Sequence, residues 1–255
     1  MLYRVIKAIL TPAFRLSFRI RATGRENIPP VGGIIIAANH QAFCDSLFLP
    51  FVVPRRVTFV AKAEYFQSWK TRRFFRAIGQ IPMERSGGSA SSQALDEASA
   101  LLKAGGCVGI YPEGTRPPDE RLHRGRTGVA RLALATGCPV VPVGIRGTRA
   151  VQPIGARMLR PFKTVEVAFG EPLDLCARYG HRMGDPLVLR QATDDLMWEI
   201  RQLSGQEYVD RYASRRAGAP GEAPSAGLVA GTAGDGGAGD GAGGGALSDP
   251  MAVAG

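Results

Sequence analysis

Apolar residues along this chain alternate between short β-branched runs and longer stretches with a helical period. Gly32-Gly33 leads into Ile34-Ile35-Ile36-Ala37-Ala38, an uninterrupted apolar run that predicts a buried strand and stops at Asn39-His40. Residues 57–61, 107–111, 140–145 and 164–169 predict further strands, and residues 80–85 a strand passing into a loop. Between them, residues 46–52, 64–78, 126–136 and 186–203 read as helices. Residues 89–103 read likewise, with apolar positions at Ala90, Ala94, Leu95, Ala98, Leu101 and Leu102 and a stop at Gly105-Gly106. This alternation predicts an α/β fold, with a central, mostly parallel mixed sheet flanked by helices and functional loops gathered beyond the strand ends.

Two segments depart from that pattern. At about 100° per residue, Arg4, Lys7, Arg15 and Arg19 gather on one side of residues 2–20, while Leu2, Val5, Ile6, Ile9, Leu10, Ala13, Leu16 and Ile20 lie opposite. This predicts a basic amphipathic helix, kinked or split at Pro12, whose ring removes a donor and crowds the carbonyl four residues back. Cations interrupt it too often for a bilayer span, which takes roughly 20 apolar residues. The pattern suits either packing on its own domain or lying in a membrane interface, cations toward anionic headgroups. After Arg216 the chain becomes Gly/Ala-rich without apolar periodicity, which predicts disorder because too little surface can be buried to offset ordering entropy.

Charge sharpens this organisation. The 255 residues hold 32 Lys+Arg against 22 Asp+Glu, a net +10. Residues 217–255 contain none of the bases and four of the acids, so the first 216 residues carry 32 bases against 18 acids, a net +14. Such a balance favours anionic partners: nucleic acid, an anionic membrane surface or phosphorylated substrates. No nucleic-acid motif and no basic stripe interleaved with aromatics accompanies it, so nucleic acid is not expected as a partner. Cys44, Cys107, Cys138 and Cys176 are widely spaced, with no CxxC pair, which argues against a zinc site or a disulfide scaffold. The N-terminus lacks the continuous apolar core and cleavage site of a signal peptide, and a cytosolic, reduced chain is expected.

The candidate chemistry lies just past the first strand. His40 and Asp45 stand five positions apart, a spacing that leaves side chains about 140° apart on a continuous helix, so they can meet only across a turn. There the carboxylate can accept a bond from one imidazole nitrogen and leave the other unprotonated, able to act as a base. No GxSxG serine accompanies the pair, so the nucleophile is expected from the substrate. Cys44 is read as a buried structural thiol rather than a nucleophile. Two later segments suit anion binding. Glu84-Arg85-Ser86-Gly87-Gly88 lies between a strand and a helix, and Tyr111-Pro112-Glu113-Gly114-Thr115-Arg116 ends another strand in a loop with a glycine and an arginine.

In this order and spacing, the three segments resemble the glycerolipid acyltransferase family that includes 1-acyl-glycerol-3-phosphate acyltransferases. Its H-x4-D motif matches His40 and Asp45, its second block Gly79 through Arg85, its (F/Y)PEGT(R/S) block Tyr111 through Arg116, and a weaker fourth block Val140-Val141-Pro142-Val143. The likeness covers about residues 25–170. The chain departs from it at Ala42, where a serine is frequent, and at Leu122, where an aromatic is frequent. The resemblance implies transfer of an acyl group from acyl-CoA or acyl carrier protein to a hydroxyl of a phosphorylated glycerol, with no metal or organic cofactor. His40 would be the base and Asp45 its orienting partner, while Arg85, Glu113, Gly114, Thr115 and Arg116 would recognise the glycerol phosphate. The lysophospholipid acceptor implies a membrane surface with anionic lipids as partner and a peripheral or monotopic place on the cytoplasmic face of the cell membrane. The alternatives are acylation of glycerol 3-phosphate or of another lysolipid, and a non-catalytic phospholipid-binding protein on the same scaffold. The expected organisation is an interfacial helix over 1–22, an acyltransferase domain over 23–216 and a disordered tail over 217–255.

Overall fold

Strand β2 (Ile34–Ala38) is buried along its whole length, and the sheet extends to both sides of it. The computed structural model describes Lys7, Thr11, Pro12 and residues 14–62, 81–83, 88–156, 158–182 and 184–213. Seven strands form one sheet in the order β1 (Arg19–Thr23), β8 (Thr164–Phe169), β7 (Val140–Arg146), β2, β5 (Cys107–Ile110), β3 (Val57–Lys62) and β4 (Ile81–Met83). Every neighbouring pair is parallel except β7 with β8, so the sheet is mixed but mostly parallel. A separate two-residue ladder joins β6 (Leu122–His123) to β9 (Tyr208–Val209).

The two-residue period of β2 divides the interior. Ile34, Ile36 and Ala38 enter one apolar layer with Phe48 and Leu49 of helix α1 (Asp45–Val52). Ile35 and Ala37 enter the other, with residues of α2 (Gly88–Lys103), α3 (Gly128–Thr136) and α6 (Pro186–Ser204). Each isoleucine of the run is fully buried, which is worth about 1.5–3 kcal/mol apiece. Two shorter α-helices, α4 (Thr148–Val151) and α5 (Leu175–Tyr179), and two 3-10 turns, Arg25–Asn27 and Gly180–Arg182, lie among these elements. The helix stops follow the sequence: α3 ends at Gly137 (φ 66°) and α6 at Gly205 (φ 64°), both left-handed.

The N-terminal segment departs from the helical reading at its end. Residues 14–17 are helical, but Arg19 already begins β1, which pairs in parallel with β8 at the sheet edge. Arg-Ile-Arg-Ala-Thr fits a two-residue alternation as well as a helical one, and the open edge of β8 decides between them. Phe14 and Phe18 pack on α1, with ring centroids 5.4 and 5.2 Å from Phe48 and Phe14 4.4 Å from Phe51. Lys7 Nζ donates to the Val53 carbonyl at 2.5 Å. The face held against the domain is therefore the Lys7–Phe14–Phe18 side, and Leu16 points away from it, 81% exposed. Residues 1–6, 8–10 and 13 of the predicted helix, the predicted helix over 64–78 and the tail over 217–255 lie outside the described residues.

Because β2 and β5 are parallel neighbours with Ala37 opposite Ile110, their C-terminal ends share one edge of the sheet. Residues following each strand, 39 onward and 111 onward, are thereby brought together although about 70 positions separate them in sequence.

Candidate active site

The turn that carries His40 is held from both sides. Asn39 continues the β2–β7 ladder with its side chain: Nδ2 donates to the Ile145 carbonyl at 2.9 Å and Oδ1 accepts the Ile145 N–H at 2.7 Å. Its Nδ2 also donates to Gln206 Oε1 at 2.7 Å. A buried amide paired in this way ends the strand without an orphaned donor and fixes the direction in which the chain leaves it.

Asp45 opens α1 and is fully buried, and its Oδ2 draws the turn closed. It accepts the N–H groups of Gln41 at 2.7 Å and Ala42 at 2.9 Å and lies 2.9 Å from His40 Nδ1. A carboxylate at the first turn of a helix is favoured by the helix dipole and accepts only, so Nδ1 carries the proton. The lone pair of the imidazole is then on Nε2, the arrangement a general base requires. The spacing argument made from sequence thus has its geometric counterpart: the side chains meet across a turn and not along a helix.

The ring of His40 lies flat on Tyr111, centroids 3.9 Å apart and planes within 11°. Tyr111 in turn stacks on Phe59 at 5.5 Å, and its hydroxyl lies 3.0 Å from Ser46 Oγ on α1. The stack needs Gly109, because a Cβ there would collide with the Phe59 ring. Burial pushes the Tyr111 phenol well above its ordinary value, so it stays a neutral platform. Stacking fixes the tilt of the imidazole, and the Asp45 bond fixes its rotation.

Glu113 braces the same loop. Oε1 accepts the backbone N–H of His40 and Oε2 that of His123, both at 3.0 Å. The side chain is 1% exposed, and burial pushes its carboxyl up to about 7 against the pull of those two donors. Sequence placed Glu113 among the glycerol-phosphate ligands; in the structure both of its oxygens serve backbone groups. Gly114 makes the turn that follows at φ 71°, and its N–H donates to the Tyr111 carbonyl at 3.0 Å. Thr115 is half-buried and Arg116 exposed, with its charge felt at Cys44. Arg85 lies outside the described residues. His40, Asp45, Glu113 and Gly114 are thus gathered through Tyr111 and the Glu113 bridge.

Cys44 matches its reading as a structural thiol. It is buried, its Sγ faces the Thr148 carbonyl at 3.7 Å, and burial raises it to about 12, which leaves essentially no thiolate at neutral pH. Sequence reasoning passed over Asn39, Ser46, Tyr111 and His123 as site-shaping residues. Tyr111 opens the matched block, yet only the neighbouring strands show its ring under the imidazole.

Comparison with known proteins agrees with this geometry. A family model described as Acyltransferase matches residues 19–146, half of the chain. A 1-acyl-sn-glycerol-3-phosphate acyltransferase of Bacillus subtilis (strain 168) is 29% identical over 174 residues, which cover 68% of this chain and 82% of that one. A chloroplastic 1-acyl-sn-glycerol-3-phosphate acyltransferase of Arabidopsis thaliana is 28% identical over 157 residues, 61% of this chain but 44% of the plant protein, so the chain spans less than half of that relative. The crystal structure of the 1-acyl-sn-glycerophosphate (LPA) acyltransferase PlsC from Thermotoga maritima superposes with a TM-score of 0.63 at 28% identity, covering 79% of this chain and 78% of that one.

Proposed function

Since the chain belongs to the acyltransferase family, we propose that it moves a fatty acyl group from acyl-CoA or acyl carrier protein to the free hydroxyl of 1-acyl-glycerol-3-phosphate, giving phosphatidic acid. The observation that carries this reading is the His40–Asp45 pair, with Nδ1 bonded to the buried carboxylate and Nε2 left as the basic nitrogen. Nε2 takes the proton of the acceptor hydroxyl as its oxygen attacks the thioester carbonyl. A C–O bond forms, the C–S bond breaks as the tetrahedral intermediate collapses, and the imidazolium returns the proton to the departing thiolate. Asp45 holds the tautomer throughout and stabilises the imidazolium.

Arg85 and Arg116, with Gly114 and Thr115, are assigned to the acceptor phosphate, arginine forks being suited to its oxygens. Glu113 is assigned as a positioning residue, acting through the His40 backbone. The chemistry draws on no cofactor beyond the thioester donor. The acceptor resides in a bilayer, which supports a peripheral place on the cytoplasmic membrane face; no helix among the described residues is long and apolar enough to cross a membrane.

The test is release of thiol when the protein meets oleoyl-CoA or oleoyl-acyl carrier protein with 1-acyl-glycerol-3-phosphate in mixed micelles. Acceptor-dependent thiol release, phosphatidic acid in the extract and loss of both in a folded His40→Ala variant are expected. Silence of a folded wild type with both donors would overturn the reading.

A further inference from the structure

We propose that residues 152–163, the connection from α4 to β8, form a second membrane-contacting element that seats the catalytic turn on an anionic lipid surface. Four large apolar side chains stand out from this region of the molecule: Ile154 (63% exposed), Met158 (82%) and Phe162 (72%) on the connection, and Leu16 (81%) beside it. Single exposed apolar residues are ordinary, but three on one 12-residue connection, with a fourth on the segment it is bonded to, leave this region apolar and exposed. Phe162 adopts φ 62°, a left-handed conformation that L side chains rarely take. Its N–H donates to the Ser17 carbonyl at 2.6 Å, which brings the connection against the N-terminal segment next to Leu16.

The charges along this stretch of sequence are of one sign, and Glu120 reaches it from outside, 3.6 Å from Arg149. Residues 147–163 contain Arg149, Arg157, Arg160 and Lys163 and not one Asp or Glu. Arg149 is engaged inward, donating to the Pro117 carbonyl. Arg160 and Lys163 are exposed, as is Arg15 next to Leu16, and among the described residues none of these three forms a salt bridge. Protruding apolar side chains ringed by exposed cations complement an anionic bilayer interface, where the former enter the acyl boundary and the latter meet headgroups.

The connection is also tied to the chemistry. Gln152 Oε1 accepts the N–H of Cys44 at 2.9 Å, within the His40–Asp45 turn, and its Nε2 donates to the Ala156 carbonyl at 3.2 Å. The Arg160 N–H returns to the Val151 carbonyl at 2.8 Å and closes the loop. The connection that carries Met158 and Phe162 is therefore bonded through the Gln152 side chain to the turn that holds His40. The inference rests on the proposed function only in taking the acceptor to be a lipid, and its test reads binding, not turnover.

Full-length protein is floated with phosphatidylcholine vesicles holding 30% phosphatidylglycerol and with phosphatidylcholine alone. Met158→Asp/Phe162→Asp is expected to lower binding to the anionic vesicles at least tenfold, while its thiol release with a short-chain acceptor below its micelle concentration stays within twofold of wild type. Phe162→Trp, which keeps an apolar ring, should bind like wild type. Its emission in excess of wild type should be blue-shifted on the vesicles and quenched by brominated lipid. Undiminished flotation of the double Asp variant, or an unshifted excess emission from the introduced indole on bound protein, would overturn the proposal. So would a wild-type dimer that the double variant abolishes without changing flotation, since the patch would then face a second copy of this chain.

Discussion

Two His–Asp pairs hang from the two oxygens of one carboxyl group, and only one of them is proposed to supply a base. Glu113 Oε1 holds the backbone of His40 and Oε2 that of His123. His40 offers Nδ1 to Asp45, as His123 offers Nε2 to Asp119 at 2.9 Å. The second nitrogen separates them. Nδ1 of His123 lies 3.2 Å from the Arg211 carbonyl, so both of its ring nitrogens face protein oxygens rather than a substrate. Its work is to tie the β6 strand to the C-terminal segment, with Asp119 held at about 2 because hydrogen bonds from His123 and Arg121 outweigh its desolvation. Residue types and a carboxylate partner do not make a base. What distinguishes His40 is a ring that meets its carboxylate through Nδ1 and lies flat on Tyr111 at the sheet edge.

The sharpest way to break this contrast is to remove each imidazole in turn. His40→Ala should lower kcat about a thousandfold or more in a variant that still folds, because the group proposed to carry the proton is gone. A variant retaining a tenth of wild-type turnover would return His40 to a structural role. Asp45→Asn should come next, with a loss of about a hundredfold to a thousandfold. An amide cannot accept from His40, Gln41 and Ala42 on one oxygen with a carboxylate's charge, and its NH2 invites the wrong tautomer. An unchanged pH profile of kcat in that variant would show that Asp45 does not govern the protonation of His40.

Glu113 allows a test through pH. Its carboxyl titrates at about 7 when folded against an ordinary value of 4.5, so the folded state holds the proton more tightly. Its contribution to stability is then fully present below pH 4.5 and lost as pH rises through about 7, a swing of up to about 3 kcal/mol. Relative to Glu113→Gln, which does not titrate, wild-type Tm should fall by several degrees as pH rises from 4.5 to 7.5 and run parallel above that. A gap that widens in favour of wild type over the same range would give the opposite sign and remove burial as the dominant cause. The smallest effect on turnover is expected from His123→Ala: kcat within a few-fold of wild type, and a stability loss of about 1–3 kcal/mol from the partners it leaves unsatisfied. A kcat loss as large as that of His40→Ala would erase the distinction between the pairs.

Much of the fold was legible because burial on both faces of a parallel sheet leaves a plain mark. The run Ile34–Ala38, the alternation over Thr164–Phe169 and the glycine stops at Gly105 and Gly137 all stand where local chemistry puts them. The edge strand β1 reads as helix in sequence because five residues of mixed polarity satisfy both periods, and the pairing partner that decides lies more than 140 positions away. The N-terminal segment shows the same limit. Its apolar positions are legible, but which face meets the domain depends on Phe48 and Phe51, which Phe14 and Phe18 find on α1.

At the site, sequence alone determined the pair proposed to react. The five-residue spacing of His40 and Asp45 at the end of a buried strand is a local property, and a local turn realises it. Only the tertiary structure decided what surrounds the pair. That β2 and β5 lie side by side brings Tyr111 beneath the imidazole and Glu113 behind its backbone, turning a residue read as a phosphate ligand into a brace. It also decided that both ring nitrogens of His123 face protein oxygens and that an unremarked connection, residues 152–163, reaches the His40–Asp45 turn through Gln152. Contacts between neighbouring elements are set by strand order and side-chain direction, and neither is written in the spacing of residues along the chain.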